Sequence, residues 1–426
     1  MGSISAVYST LGELIQRYRY ERSMTQAKLA ELTRINRGSI SKIENGDIKR
    51  PDYATIQPII SVLNVPLREV IDALSLTDHR SDTWFGLLHN STSSGDYSLS
   101  AEIASYLLAS RNEESEVLLG KLFQIVQEIS NDNELKLSLL NIVITYARSH
   151  GIQRFVARGT LHKYLIERDD FSKMEATYQT GQYVLYYVEF LSRDERVTLY
   201  YKLGVHAFNL RKYNDCIELS KKAVIEDDIE SSFKAYSTLA ICTSYYELEQ
   251  FDMAEKYLKT FSLFSFPFVQ EYVDFMSAKL QEKKGSIELA IEQLKYCLET
   301  SSFKMNIVNS LFNLFLINHD LTAIENLLQR EQEYIAGDQI NPAMEAEKAH
   351  FYLNKGKYLQ ITNRQEEAVD CYICSASIFV RICEQKYLYE CLELVFQIAG
   401  NINDKTISSR VQELFDNLKK YEEEKY

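Results

Sequence analysis

Two groups of side chains in this sequence have the types and spacing to do recognition chemistry. The first is Asn36, Arg37, Ser39, Ser41 and Lys42, preceded by Gln26. Arginine's planar fork matches the paired acceptors of a guanine edge, while Asn, Gln, Ser and Lys reach base edges or phosphates. Gly38 and Ser39 are small enough to permit close approach. The second group is Asn306, Asn309 and Asn313, which fall on one stripe if their apolar surroundings are helical. Each carboxamide offers both donor and acceptor, so the three could bond the backbone of an extended peptide without dictating its side chains. The plainer reading of both groups is a solvated helix face.

The elements needed to position the first group can be read locally. Leu11, Leu14, Ile15 and Tyr18 give the i, i+3, i+4, i+7 pattern of a helix over 11–21. Thr25 caps a second helix from Gln26 to Leu32, and after the bend Thr33-Arg34-Ile35-Asn36 a third runs from Arg37 to Glu44, with Ile40 and Ile43 inward. Asn45-Gly46 supplies the left-handed stop. Asp52–Leu63 and Leu67–Leu74 are expected to pack over this pair. Two short helices with a tight turn, the second displaying Arg37 to Lys42, have the shape of a major-groove reader.

Met24-Thr25-Gln26, Leu29-Ala30, the run Ile40 to Gly46 and Arg50-Pro51, in this order and spacing, closely resemble the helix-turn-helix domain of the phage-repressor and Xre family. The resemblance implies that Gln26 holds a phosphate, that Asn36, Arg37, Ser39, Ser41 and Lys42 face bases, and that Arg19 pairs with Glu44. Charge agrees: residues 1–76 hold ten Lys/Arg and eight Asp/Glu, about +2, leaving 37 basic and 52 acidic residues, or −15, for the rest. An acidic body on a mildly basic head suits contact with DNA through the head alone. So small a head would bind poorly by itself, so a homodimer or tetramer on repeated half-sites is expected.

A chain of 426 residues is long enough for two or more domains, and five prolines with little β-branched alternation predict an all-α protein. No apolar run reaches membrane-span length, no signal pattern opens the chain, and seven cysteines, all beyond residue 200, suit reduced thiols; a cytoplasmic protein with no membrane partner is expected. The predicted division is a helix-turn-helix domain at 1–76, a linker at 77–98 with a docking helix around Trp84, and a repeat domain at 99–426. The repeat shows in small residues. Gly204, Ala278 and Gly356 are each followed at twelve and nineteen residues by another small side chain, and Ala240 with Ala254 marks a further unit. Weaker hairpins are expected at 99–130, 134–168 and 171–190, and a terminal helix at 411–426.

This pattern resembles the tetratricopeptide repeat, which implies helix pairs stacked into a right-handed superhelix with a concave channel. Its register places Asn209, Tyr245, Tyr272 and Lys279 in the channel beside Asn306, Asn309 and Asn313. Head and array together resemble the Gram-positive peptide-pheromone receptors known as the Rgg, Rap, NprR, PlcR and PrgX (RRNPP) proteins, most closely the longer NprR-like members. That resemblance implies a quorum-sensing transcription regulator whose partners are double-stranded operator DNA and a short signalling oligopeptide, with Asn209, Asn309 and Asn313 clamping the peptide backbone. Two other readings are an adaptor that sequesters a response-regulator protein and a phage or plasmid repressor whose repeats only dimerise. No G-x-G-x-x-G, P-loop or G-x-S-x-G run is present, and Cys371 and Cys374, although spaced C-x-x-C, lack a second pair. No catalytic residue, metal or cofactor is expected, and the chain is not read as an enzyme.

Overall fold

The computed structural model describes residues 10–75, 80–92, 95–335, 342–382 and 384–399, with 412, 415, 416 and 419. Cys383 and most of the helix expected at 411–426 lie outside the described residues. All regular structure among the described residues is helical. The chain divides into two compact units: the described residues up to Ile166 with Tyr186–Leu191, and Glu167–Leu185 with those from Ser192 onward.

The first unit begins with α1 (Leu11–Glu21), α2 (Gln26–Thr33), α3 (Arg37–Glu44), α4 (Tyr53–Val62) and α5 (Leu67–Ser75). Caps set these boundaries. Thr10 and Glu13 form a capping box on α1, and the side chains of Thr25, Asn36 and Asp52 accept first-turn amides of α2, α3 and α4. Gly46, at φ +80°, ends α3 in a left-handed turn closed by the Asp47 amide donating to the Lys42 carbonyl. At Gly12 a Cβ would lie 2.2 Å from the Ile43 carbonyl oxygen, so glycine is what lets α1 rest on the end of α3.

The same unit continues through α6 (Ser81–Ser91), α7 (Tyr97–Leu108), α8 (Ser115–Glu128), α9 (Asn133–Ser149) and α10 (Gln153–Glu167). One apolar core runs from Leu11 to Val156 and takes in Trp84, which stacks on Tyr106 at 4.8 Å. Helix α6 lies against α4 so closely that a Cβ on Gly86 would meet the Tyr53 ring at 2.4 Å. Arg68 on α5 pairs with Glu102 on α7 at 2.6 Å, and Lys121 on α8 reaches Asp82 and Glu113 at 2.8 Å each. The segment around Trp84 is therefore built into the core.

The second unit opens with α11 (Met174–Val184). The hairpin expected at 171–190 is a single α-helix flanked by the 3-10 segments Phe171–Lys173 and Leu185–Phe190. Helix pairs follow: α12 (Arg193–Asn209) with α13 (Tyr213–Glu226), α14 (Ser232–Glu247) with α15 (Phe251–Phe261), α16 (Val269–Lys283) with α17 (Ile287–Thr300), and α18 (Lys304–Ile317) with α19 (Leu321–Leu328). After the short α20 (Glu331–Ile335) come α21 (Pro342–Ile361), α22 (Gln365–Arg381) and α23 (Gln385–Ala399).

The repeat is visible in the backbone of the turns. Arg211, Glu249, Gly285, His319 and Asn363 take left-handed φ values just past α12, α14, α16, α18 and α21. In each case the next residue's amide reaches back to the preceding helix, as Lys212 does to Ala207 at 2.9 Å and Arg364 to Leu359 at 2.8 Å. Small residues hold the pairs close. A Cβ on Gly356 would sit 2.4 Å from the Tyr372 ring, and one on Gly204 would sit 2.9 Å from the Ser220 hydroxyl.

Candidate functional site

In the first unit the geometry centres on Glu44, the last residue of α3. Arg19 of α1 donates from Nε to Glu44 Oε1 and from Nη2 to Oε2, both at 2.7 Å, and from Nη1 to the Met24 carbonyl at 2.8 Å. The side chains of the pair are 5% and 0% exposed. The bond to Glu44 raises the pKa of Arg19 over the opposing effect of burial. Gln26 of α2 completes the network by donating to Glu44 Oε2 at 2.8 Å. A bidentate pair in which all three guanidinium nitrogens are engaged ties three helices together and sets the angle at which α3 is presented.

The outer face of α3 is made of the remaining residues. Arg37 and Lys42 are exposed and, among the described residues, form no ion pair. Ser39 and Ser41 are half-buried beside them. Asn36 is exposed, but its Oδ1 accepts from the Gly38 amide at 2.7 Å as the cap of α3, leaving its Nδ2 for an external acceptor. Gln26 likewise spends its amide nitrogen on Glu44. Both residues thus carry structural roles that the sequence alone did not assign them.

In the second unit the asparagine stripe of α18 is graded: Asn306 is half-buried, Asn309 buried and Asn313 exposed. Asn309 donates from Nδ2 to both the backbone carbonyl and the carboxylate of Glu347 on α21, at 2.7 Å each. Its buried Oδ1 has no hydrogen-bond partner among the described residues. Burial pushes the Glu347 carboxyl above its usual range, although Asn309, Lys279 and Asn306 each pull the other way.

A short distance along α21, His350 lies edge-on to Tyr387 at 4.4 Å and to Phe379 at 5.1 Å. Burial lowers its pKa to about 4, and it also feels Arg211, Glu390, Lys357 and Lys279. These charges come from the α12–α13 turn, α16, α21 and α23, so His350 lies within electrostatic reach of several hairpins.

The other residues expected in the channel are placed as follows. Lys279 is half-buried, with its ammonium over the Tyr246 ring at 4.8 Å. Tyr272 stacks on Phe303 at 4.5 Å. Asn209 is half-buried at the end of α12. Tyr245 points toward the second helices of the pairs: its hydroxyl accepts from Lys221 of α13 at 3.0 Å and its ring lies against Tyr257 of α15. Its neighbour Tyr246 faces α16 in its place. Adjacent tyrosines differ by about a hundred degrees around a helix, and no local signal tells which one faces inward. Glu347, Arg211, Glu384 and Tyr387 were not anticipated, because their association depends on contacts between distant hairpins.

Among the described residues no group of His, Cys, Asp and Glu is arranged to hold a metal ion, and no helix is long and apolar enough to cross a membrane. Burial raises the pKa of both Cys371 and Cys374, and Cys374 is only half-buried.

Residues 15–70 match the family described as Helix-turn-helix. No curated protein matches the chain. Similar solved structures include a Rap protein complexed with Competence and Sporulation Factor, at 9% identity, TM-score 0.42, and coverage of 97% of this chain and 99% of that one. A selenomethionine form of phAimR is 14% identical, with TM-score 0.38 and coverage of 94% and 100%. PlcR of Bacillus thuringiensis, in complex with the peptide PapR7 and DNA, is 15% identical, with TM-score 0.22 and coverage of 90% and 98%. Overlaps this loose carry no argument about mechanism, and the architecture rests on the helices themselves.

Proposed function

Starting from a chain that carries a helix-turn-helix domain near its N-terminal end, we propose that it is a peptide-responsive transcription regulator of the RRNPP kind. The head binds operator DNA, with Arg37, Ser39, Ser41, Lys42 and the free amide of Asn36 meeting base edges and phosphates. A dimer places two heads on two half-sites, which raises the number of phosphate contacts above what one head supplies.

A short oligopeptide lies in the polar interior of the second unit. The observation that carries this reading is Asn309, whose buried Oδ1 lacks a partner beside the half-buried carboxylate of Glu347. A buried acceptor left unmatched costs about 1–3 kcal/mol, and a backbone N–H from an extended guest would recover it once the Asn309 side chain turns to meet the guest.

The peptide acts by binding one arrangement of the protein better than another. A hundredfold change in occupancy needs about 2.7 kcal/mol of differential affinity, within reach of a peptide that buries several side chains. The test is operator binding by fluorescence anisotropy and reporter transcription, each with and without synthetic short peptides encoded beside the gene. Binding to operator DNA that no such peptide alters would leave the head reading intact and reject the peptide reading.

A further inference from the structure

Arg211 occupies the left-handed position of the turn between α12 and α13, at φ +59°. Its Nε donates to both carboxylate oxygens of Glu384, at 2.9 and 3.1 Å, and its guanidinium lies 5.0 Å from the centre of the Tyr387 ring. Glu384 sits at the turn that opens α23, and its own amide is bonded to the Phe379 carbonyl at 2.9 Å. The two residues are 173 positions apart. Contacts between neighbouring hairpins span far less chain: Asn309 to Glu347 is 38 positions and Lys212 to Glu175 is 37. One bridge therefore joins the first hairpin of the array to the turn after α22, bypassing the helices in between.

The chemistry of the bridge differs from that of the apolar contacts between neighbouring hairpins. Both partners are on turns, so they can separate without unwinding a helix. The side chain of Arg211 is 38% exposed and that of Glu384 is 16% exposed, so water and salt can compete for the pair. The aromatic floor is preorganised, with Tyr387 stacked on Phe379 at 5.3 Å and met edge-on by His350. Lys357, paired with Glu390 at 2.7 Å, lies within electrostatic reach of the same histidine. We propose that Arg211 and Glu384 form a latch that closes the hairpin array across its interior. The latched state encloses whatever occupies that interior, and release of the pair opens a side entrance.

The test uses the full chain carrying spin labels on unnatural residues at exposed Asn214 and Glu393, which leaves the cysteines untouched. The wild type is expected to give one narrow inter-label distance. Arg211→Glu and Glu384→Arg should each lengthen and broaden it, and the charge-swapped double variant R211E/E384R should restore the short distance. Unchanged helical circular dichroism and melting temperature separate opening from unfolding. Distances unmoved by both single reversals would overturn the latch, as would a double variant no closer to wild type than either single one. This outcome is independent of whether any peptide binds.

Discussion

In the first unit a charged pair, Arg19 and Glu44, is buried with each of its hydrogen bonds directed to a protein partner. In the interior of the second unit, the Asn309 oxygen is buried without a partner and Glu347 is held by amides in place of a cation. The contrast separates two uses of buried polarity. A closed network fixes one geometry, as a surface that must match a rigid duplex requires. A network with open valences tolerates more than one occupant or shape, at a cost that a guest can offset.

The largest effect that would test this contrast is expected at Glu44. Glu44→Ala leaves the Arg19 guanidinium buried and unpaired, and should destabilise the first unit by about 3–5 kcal/mol, measured as a shift of its transition in chemical denaturation. A much smaller loss would mean that the pair is not the fixed anchor described. Gly86→Ala should cost about 1–3 kcal/mol through overpacking on Tyr53, and adding Tyr53→Ala should return part of it. Failure of that rescue would break the account of how α6 is seated on the head.

Arg37→Ala should reduce operator affinity by about 1–3 kcal/mol without altering stability. Asn309→Ala should leave DNA binding intact and weaken the response to peptide, so the two variants together test whether the regions work separately.

The pH dependence of stability probes the same buried groups. Because burial raises the folded-state pKa of Glu347 above its usual 4.5, its favourable contribution is complete below that pH and is lost as pH rises through the folded value. Glu347→Gln should therefore gain stability relative to wild type as pH increases, and an unchanging difference would contradict the burial. His206, buried in α12 edge-on to Tyr178 at 5.4 Å, and His350 have the opposite sign. Their folded pKa values, lowered from 6.5 to about 4, imply stability that is present above 6.5 and lost as pH falls toward 4.

The head was legible in the sequence because its signals are local. Helices α1 and α3 begin and end where periodicity and caps place them, and α2 runs one residue past the expected Leu32 to Thr33. The helical repeats were legible through small residues such as Gly204 and Gly356, whose neighbours in space lie on the next helix. What could not be read were the side-chain directions and long-range contacts that make the interior. Tyr245 and Tyr246 are adjacent aromatics with no marker of which faces inward, and nothing near Arg211 announces Glu384. Asn36 and Gln26 show a related limit: the residue type that can contact a nucleic acid is also the type that caps a helix or satisfies a buried carboxylate.

The continuous apolar core from Leu11 to Val156 bears on portability. A fragment cut at residue 76 would bare the faces of α4 and α5 that rest on α6 and α7, and should be sticky or poorly folded. A transplantable reading module must extend at least to Ile166, so fusing this specificity to another sensor means moving the first hairpins along with it.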